Sequence, residues 1–275
     1  MDNVRLNVRL VVSAALFLAV VLFGLAGPWA YPVDPVSRVG GKLQTPSWEH
    51  PLGTDVQGRD VLAQLIHGTG TSLLIGVTAS VIAVAIAIVV GVISGYRAGL
   101  MDDSLMASAN VVLAFPVILL LLVAAVFVPV RSPMVVALLI GFTSWPGLAR
   151  AIRSQIMSLK EREFVFLSRM AGCSGVRIAF VDLLPNMMTY VFTSSVVIMS
   201  AAMLAEAGLS MIGVGVTRGT SLGTMLFWAQ LSDAVRRGLF WWFIPPGGVL
   251  TVACASLLLL ATALDQLFNP RLKER

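Results

Sequence analysis

The sequence has 275 residues, of which 57% are hydrophobic and only 12% are charged. Soluble domains carry about 25% charged residues, so this composition excludes an ordinary globular fold. It predicts an all-α protein that crosses a membrane several times. The net charge of +5 could suit nucleic acid, but the basic residues stand between apolar runs, where topology and lipid headgroups explain them more simply. We therefore expect membrane lipid as a partner and no nucleic acid.

Six apolar runs are long enough to cross the hydrocarbon layer as helices, which takes roughly 20 residues each. The first could instead be a signal peptide, since Arg5 and Arg9 precede it, but its length and Pro28 favour a retained helix. The predicted spans are residues 10–30, 73–96, 111–130, 134–149, 190–214 and 241–264.

The distribution of Lys and Arg predicts how the spans are oriented. With the N-terminus inside, 12 of these residues fall in inner segments and 7 in the longer outer ones. Because cytoplasmic loops are enriched in Lys and Arg, we predict that both termini are cytoplasmic. The chain then divides into a first helix with an outer segment, residues 1–69, and a five-helix core, residues 70–275.

The segment 158–185 lies between the fourth and fifth spans, on the predicted cytoplasmic side, and carries seven charged residues. Apolar residues recur in it at helical spacing. Gly172 suits the left-handed position after one short helix, and Ser174 can cap a second helix that ends before Pro185. Such a helix–turn–helix either rests on lipid headgroups or docks into a groove of a partner protein.

A second polar segment, residues 50–60, reads His-Pro-Leu-Gly-Thr-Asp-Val-Gln-Gly-Arg-Asp. Gly53 and Gly58 permit tight turns, and Asp60 can cap a helix that begins at Val61. Its carboxylates could suggest a calcium loop, but the oxygen ligands are too few. We interpret the segment as a structural turn on the outer face.

Glu206 is an ionisable residue inside the fifth span, where burying a charge is costly, so it is a functional candidate. In a transporter that works alone it would carry the proton. The sequence contains no Walker A motif, no metal-type Cys/His spacing and neither an HExxH nor a GxSxG pattern. It therefore predicts no catalytic residue and no metal ligand.

Six motifs, in order along the chain, resemble those of permease subunits of ATP-binding cassette importers. They are similar to the second permease type of the dipeptide, oligopeptide and nickel branch, although Asn110 replaces that branch's usual Asp. The motifs are HPLGTDVQGRD at 50–60, LAFP at 113–116, WPGLAR at 145–150, SLKEREF at 158–164, EAGLSMIGVG at 206–215 and NPR at 269–271.

The segment 158–185 resembles the ATPase-coupling loop of these permeases, and we call it the coupling segment. The loop's Gly and Leu-Pro positions are kept, whereas Phe166, Leu167 and Ser168 replace its Glu-Ala-Ala, which implies a more apolar contact with the partner. The residues that the resemblance assigns to coupling are Phe164, Phe166, Leu167, Ser168, Arg169, Gly172, Leu184 and Pro185.

The resemblance also implies the assembly and its location, a type I importer permease in the inner membrane. The expected partners are a second, homologous permease, two ATPases that bind ATP and Mg, and an extracytoplasmic substrate-binding protein. This chain would bind no cofactor and would not be an enzyme. The outer-face residues that would contribute to the binding-protein platform are Gly53, Thr54, Asp55, Gly58, Arg59 and Asp60.

The position of Phe115, Trp145 and Glu206 in the predicted spans suggests that they line or approach the pathway, and the resemblance implies hydrogen bonding or helix packing for Glu206. Peptide is the first choice of substrate, with nickel or a metal chelate as the alternative. Two other classes stay open. One is a secondary transporter that uses Glu206, for which we detect no inverted repeat, and the other is a purely structural membrane scaffold.

Overall fold

The computed structural model describes residues 2–268, with side chains from 8 to 267. Helices dominate the described chain. A π-helical stretch, Ile178–Leu183, and a 3₁₀ turn, Leu184–Met187, connect α8 to α9. The helices are α1 (Asp2–Ala30), α2 (Val61–Tyr96), α3 (Leu100–Ala114), α4 (Val117–Val126), α5 (Pro133–Ser144), α6 (Pro146–Leu159), α7 (Glu163–Met170), α8 (Gly175–Arg177), α9 (Met188–Met211), α10 (Leu222–Leu231) and α11 (Phe240–Phe268).

Four helical segments are long and apolar enough to cross a membrane, namely Val8–Ala30, Val61–Tyr96, Gly175–Met211 and Phe240–Leu267. Two further spans are bent pairs of helices, with angles of 88° between α3 and α4 and 41° between α5 and α6. Counting each pair as one span gives six, which confirms the predicted all-α, six-span architecture.

The third and fourth spans are broken, whereas the sequence predicted them as single runs. Pro116 precedes α4, and Pro146 is the first residue of α6. Each proline lacks the N–H that would continue the preceding helix, and its ring clashes with the carbonyl four residues earlier. The fourth span also extends to Leu159, ten residues beyond its predicted end.

The predicted helix end before Pro185 is wrong. Leu184 has helical angles, φ −56° and ψ −42°, and the chain continues into α9. The π-helical stretch before Pro185 and the 3₁₀ turn that contains it change the backbone hydrogen-bond pattern around the proline ring. The coupling segment therefore passes into the fifth span without a loop.

Several other boundaries differ from the prediction. The third span begins at Leu100 rather than at residue 111, and it ends at Val126 rather than at residue 130. The second span begins at Val61 rather than at residue 73, so residues 69 and 70 both lie inside α2. The fifth span ends at Met211 rather than at residue 214, because Gly213 adopts φ +86° and terminates α9. The N–H groups of Gly213 and Val214 return to the carbonyls of Ser210 and Leu209, as in a Schellman motif.

Helix α2 lies at the centre of the packing, against α1, α5, α6 and α9. Its glycines bring α6 very close. A Cβ atom on Gly91 would lie 2.6 Å from the carbonyl oxygen of Ala149, and one on Gly95 would lie 2.8 Å from that of Arg153. Small residues at these positions therefore let the two helix backbones meet, as is common in membrane helix pairs.

Asp60 fixes the N-terminal end of α2. Its Oδ1 accepts from the N–H of Ala63 at 2.9 Å, which is the predicted N-cap. Its Oδ2 accepts from the Tyr31 hydroxyl at 2.9 Å and lies 2.8 Å from His50 Nδ1. Burial and the hydrogen bond with Asp60 raise the pKa of Tyr31 to about 12, so the phenol stays protonated at neutral pH. The carboxylate of Asp60 thus contacts groups at the end of α1, in the turns before α2 and at the start of α2.

Replacing Asp60 by Ala should lower the unfolding free energy by about 2–4 kcal/mol, because it removes the helix cap and leaves buried partners unsatisfied. The measurement is the thermal denaturation midpoint of the detergent-solubilised protein. Glu49→Ala is the matched control, since Glu49 is an exposed carboxylate in the same outer segment. Equal midpoints for the two variants would contradict the role of Asp60.

Candidate coupling surface and buried polar cluster

Helix α7 is held on the body of the protein by a single buried side chain. Val165 is fully buried in an apolar cluster that includes Ile152 and Ile156 of α6 and Ile178 and Leu183 of the π-helical stretch. Residues from both ends of the coupling segment therefore meet around Val165. This packing makes the segment a compact projection rather than a mobile loop.

The turn between α7 and α8 has the predicted geometry. Gly172 adopts φ +75°. Its N–H donates to the carbonyl of Arg169 at 3.0 Å, and the N–H of Cys173 donates to that of Ser168 at 3.1 Å, which is a Schellman motif. Ser174 then caps α8 by accepting from the N–H of Arg177 at 3.4 Å.

The outward face of the coupling segment is apolar. Phe166 is 62% exposed and Leu167 66% exposed, with Ser168 half-buried and bonded to the carbonyl of Phe164. Pro185 is exposed and Leu184 half-buried at the far end of the segment. The exposed large apolar side chains of the coupling segment are Phe164, Phe166, Leu167, Met170, Val176 and Val181.

Met170 is the most exposed of these side chains, at 73%, and the motif resemblance does not include it. Helical spacing is the signal that identifies it. Residues three and four positions apart share a helix face, so Met170 extends the surface of Leu167 and Phe166. Charged residues of both signs, such as Glu163 and Arg169, surround this apolar surface. Such a surface fits an apolar groove with a polar border.

The outer-face residues are engaged within the chain. The Thr54 hydroxyl donates to the carbonyl of Gly41 at 2.6 Å. Asp55 accepts from the N–H of Arg59 at 3.0 Å and from the Gln64 side chain at 3.0 Å. Gly53 and Gly58 have φ values of +66° and +78°. These contacts support the interpretation as a structural turn, while a platform role for the surface stays a prediction.

Glu206 lies fully buried where α2, α9 and the start of α10 meet. Its Oε1 accepts from the hydroxyls of Ser210 at 2.7 Å and Ser221 at 2.6 Å, and its Oε2 accepts from Ser72 at 3.4 Å. Ser72 also accepts from the N–H of Leu222 at 3.1 Å. The carboxylate therefore links the start of α10 and α9 to α2, which is 134 residues away in the sequence.

The three serines around Glu206 escaped the sequence reasoning. Ser72 and Glu206 are 134 residues apart, and no local pattern pairs them. The other two serines had local signals. Ser210 lies four residues after Glu206 in α9, a spacing that brings side chains together. Ser and Thr three residues apart can form a capping box, and Ser221 and Thr224 do so at the start of α10.

The predicted pathway residues do not lie together on one surface. Phe115 is 54% exposed at the α3–α4 break, whereas Trp145 is 8% exposed and Glu206 is fully buried. Trp145 packs in the apolar cluster around Val165, and Glu206 binds its serines. Of the three, Phe115 alone has the exposure that a residue lining a path between subunits needs.

These features define a class: a helical membrane protein with broken spans and an exposed apolar surface on α7. Comparison with known proteins identifies the family. Residues 87–274 match the family described as "Binding-protein-dependent transport system inner membrane component". The chain belongs to this family, and it is a transport subunit embedded in the inner membrane.

Individual relatives cover nearly the whole chain. The "Di/tripeptide transport system permease protein DppC" of Pseudomonas aeruginosa is 34% identical over 270 residues, 94% of this chain and 87% of that protein. The "Oligopeptide transport system permease protein OppC" of Mycobacterium bovis and that of Mycobacterium tuberculosis are each 35% identical over 253 residues, 89% of this chain and 84% of those proteins. The permease family predicted from the motifs is confirmed. The NPR motif at 269–271 lies outside the described residues.

Replacing Gly172 by Ala should lower the unfolding free energy by about 1–2 kcal/mol, because an L-residue is strained in left-handed geometry. No heavy atom lies within 4 Å of the added methyl group, so the cost is conformational. Gly147→Ala in α6 also meets nothing within 4 Å, and it should be neutral or stabilising. Denaturation midpoints of the two variants check the prediction, which equal midpoints would contradict.

Proposed function

We propose that this chain forms half of the translocation pathway of an ATP-driven peptide importer, with the coupling segment as the docking site for a separate ATPase. The observation that carries this proposal is the apolar outward face of α7 on a segment fixed by Val165. A loop resting on lipid would need no such rigid attachment. A segment that receives force from a partner does need it, because a mobile loop would absorb the displacement.

We infer the remaining subunits from the family, in which each function of the importer belongs to a separate protein. We assign to this complex a second, homologous permease, two ATPases that hold ATP and Mg, and an extracytoplasmic binding protein. This chain supplies no catalytic group and binds no nucleotide. Both termini and the coupling segment face the cytoplasm, in line with the excess of Lys and Arg in the inner segments.

Transport follows from displacement of the coupling segment. ATP binding brings the two ATPases together, and each moves the coupling segment seated in it. Residues before and after α7 pack around Val165, and the segment continues into α9, so α6 and α9 move with it. The assembly changes between two arrangements, biased by ATP and by the loaded binding protein. Phe115, exposed at the α3–α4 break, lines the path that opens.

Peptides are the proposed cargo. The relatives at 34% and 35% identity are named as di/tripeptide and oligopeptide permeases. Nickel or a metal chelate is the alternative within the same branch. The binding protein selects the cargo to a large extent, so its identity would distinguish the two.

Purification of the complex and identification of its subunits test this proposal. A C-terminally tagged chain purified from native membranes in mild detergent should bring down a second permease and an ATPase with a Walker A motif. Leu167→Glu should abolish recovery of the ATPase while keeping the second permease, because it places a charge in an apolar contact. Val235→Glu is the matched control, since Val235 is exposed to 64% and Leu167 to 66%, and Val235 lies on the predicted outer side.

Recovery of the chain alone, or with copies of itself only, would contradict the importer. ATPase recovery unaffected by Leu167→Glu would contradict the coupling surface while leaving the importer in place. The two parts of the proposal therefore fail in different ways.

We propose a structural role for Glu206 rather than proton transport, because both carboxylate oxygens accept hydrogen bonds from serines. Glu206→Gln should lower the denaturation midpoint, since an amide has one acceptor oxygen and mismatched buried groups cost roughly 1–3 kcal/mol. Uptake per folded complex and its pH dependence should stay unchanged. Loss of uptake with the ATPase intact would instead support a proton carrier. Ser221→Ala, which removes one donor, should reproduce the loss of stability.

A further inference from the structure

A half-buried ion pair joins the helix that leads into the coupling segment to the first half of the third span. Arg153 of α6 donates from Nε to Asp102 Oδ1 and from Nη2 to Oδ2, both at 2.6 Å. Ser94 of α2 donates to the same Oδ1. Asp102 is 7% exposed, and the Arg153 side chain is 32% exposed. Two parallel bonds make this a geometrically specific, charge-assisted contact.

Helix α3 has few other attachments. Of its fifteen residues, all of which the structure describes, two are buried, Asp102 and Ala109. Asn110 accepts a hydrogen bond from Arg150 of α6, but both residues are exposed. Gly99, with φ +87°, separates α3 from α2 and has no other group within 4 Å of its Cβ position. The backbone on that side therefore offers a hinge rather than a rigid connection.

Helix α6, in contrast, is firmly joined to the coupling segment. Ile152 and Ile156, on both sides of Arg153 in the sequence, lie in the same buried apolar cluster as Val165 of α7. Both α6 and α7 contact the π-helical stretch. The Asp102–Arg153 pair is thus the charge-assisted contact between α6 and α3, beside the packing of Ala109 in the apolar cluster that contains Ile152. At the other end of α3 stand Phe115 and the 88° bend to α4.

We propose that the Asp102–Arg153 pair positions α3, so that α3 and Phe115 move with α6 when a partner ATPase displaces the coupling segment. Asp102 and Arg153 are positioning residues, and neither touches cargo or nucleotide. This inference rests on the proposed function, because it assumes that an ATPase moves the coupling segment. It adds the route by which that movement reaches the third span.

A purely structural pair would keep α3 folded without making it follow α6. Distances between spin labels distinguish these two roles. The labels are attached to three exposed residues of a chain in which Cys173 and Cys254 are replaced by alanine. The three labelled positions are Ser108 in α3, Ser154 in α6 and Thr262 in α11. The complex co-purified with its ATPases is measured without nucleotide and after trapping with ATP and vanadate.

In the otherwise native chain, trapping should shift the 154–262 distance and leave the 108–154 distance unchanged. In Asp102→Asn, trapping should also shift the 108–154 distance and broaden its distribution. Arg153→Lys should give a smaller shift, because an ammonium keeps the charge but not the two-pronged contact. Asp103→Asn is the matched control, since Asp103 is an exposed neighbour of Asp102, and it should behave as the native chain does.

A 108–154 distance that stays fixed in Asp102→Asn while the 154–262 distance shifts would overturn the inference, because α3 would follow α6 without the pair. A 108–154 distance that shifts in the native chain would overturn it as well. An unchanged 154–262 distance in the native complex would contradict the proposed ATP-driven movement itself. If Asp102→Asn fails to assemble, Arg153→Lys supports the same comparison.

Discussion

Hydrocarbon offers no hydrogen-bond partner, so a carboxylate that this chain carries to membrane depth is stabilised by partners within the protein. Glu206 meets this requirement with hydroxyls from three separate elements, and each hydroxyl thereby fixes an element. Asp60 and Asp102 do the same near the two ends of α2. The three carboxylates therefore join the helices, while the apolar clusters fill the space between them.

This requirement also separates what the sequence predicts from what it does not. The lipid environment selects apolar runs, so composition and length predicted all six spans. Local hydrogen bonding selects caps, so the roles of Asp60, Gly172 and Ser174 in ending or starting helices were predictable from neighbouring residues. The apolar replacement at Phe166 and Leu167 likewise predicted an apolar surface, and both side chains are exposed.

Other features depend on contacts distant in sequence, and local patterns did not predict them. Pro185 ends a helix by its intrinsic preference, but the packing of Ile178 and Leu183 around Val165 holds the chain in a continuous helical path. Pro116 indicates a break after α3, but the proline alone does not give the 88° angle between α3 and α4. The place of Trp145 in the sequence predicts that it lines or approaches the pathway, but it does not predict that neighbouring residues leave it only 8% exposed.

The length of α2 has a mechanical consequence for the whole subunit. Its 36 residues make a rod about 54 Å long, well beyond the roughly 30 Å of hydrocarbon that it crosses. The turns tied by Asp60 stand at one end of this rod, and Gly95 and Ser94, which contact α6 and α3, stand at the other. No loop interrupts it to absorb a displacement. A tilt of α2 that begins where it contacts α6 therefore also displaces the turns at its other end, because α2 is one continuous helix.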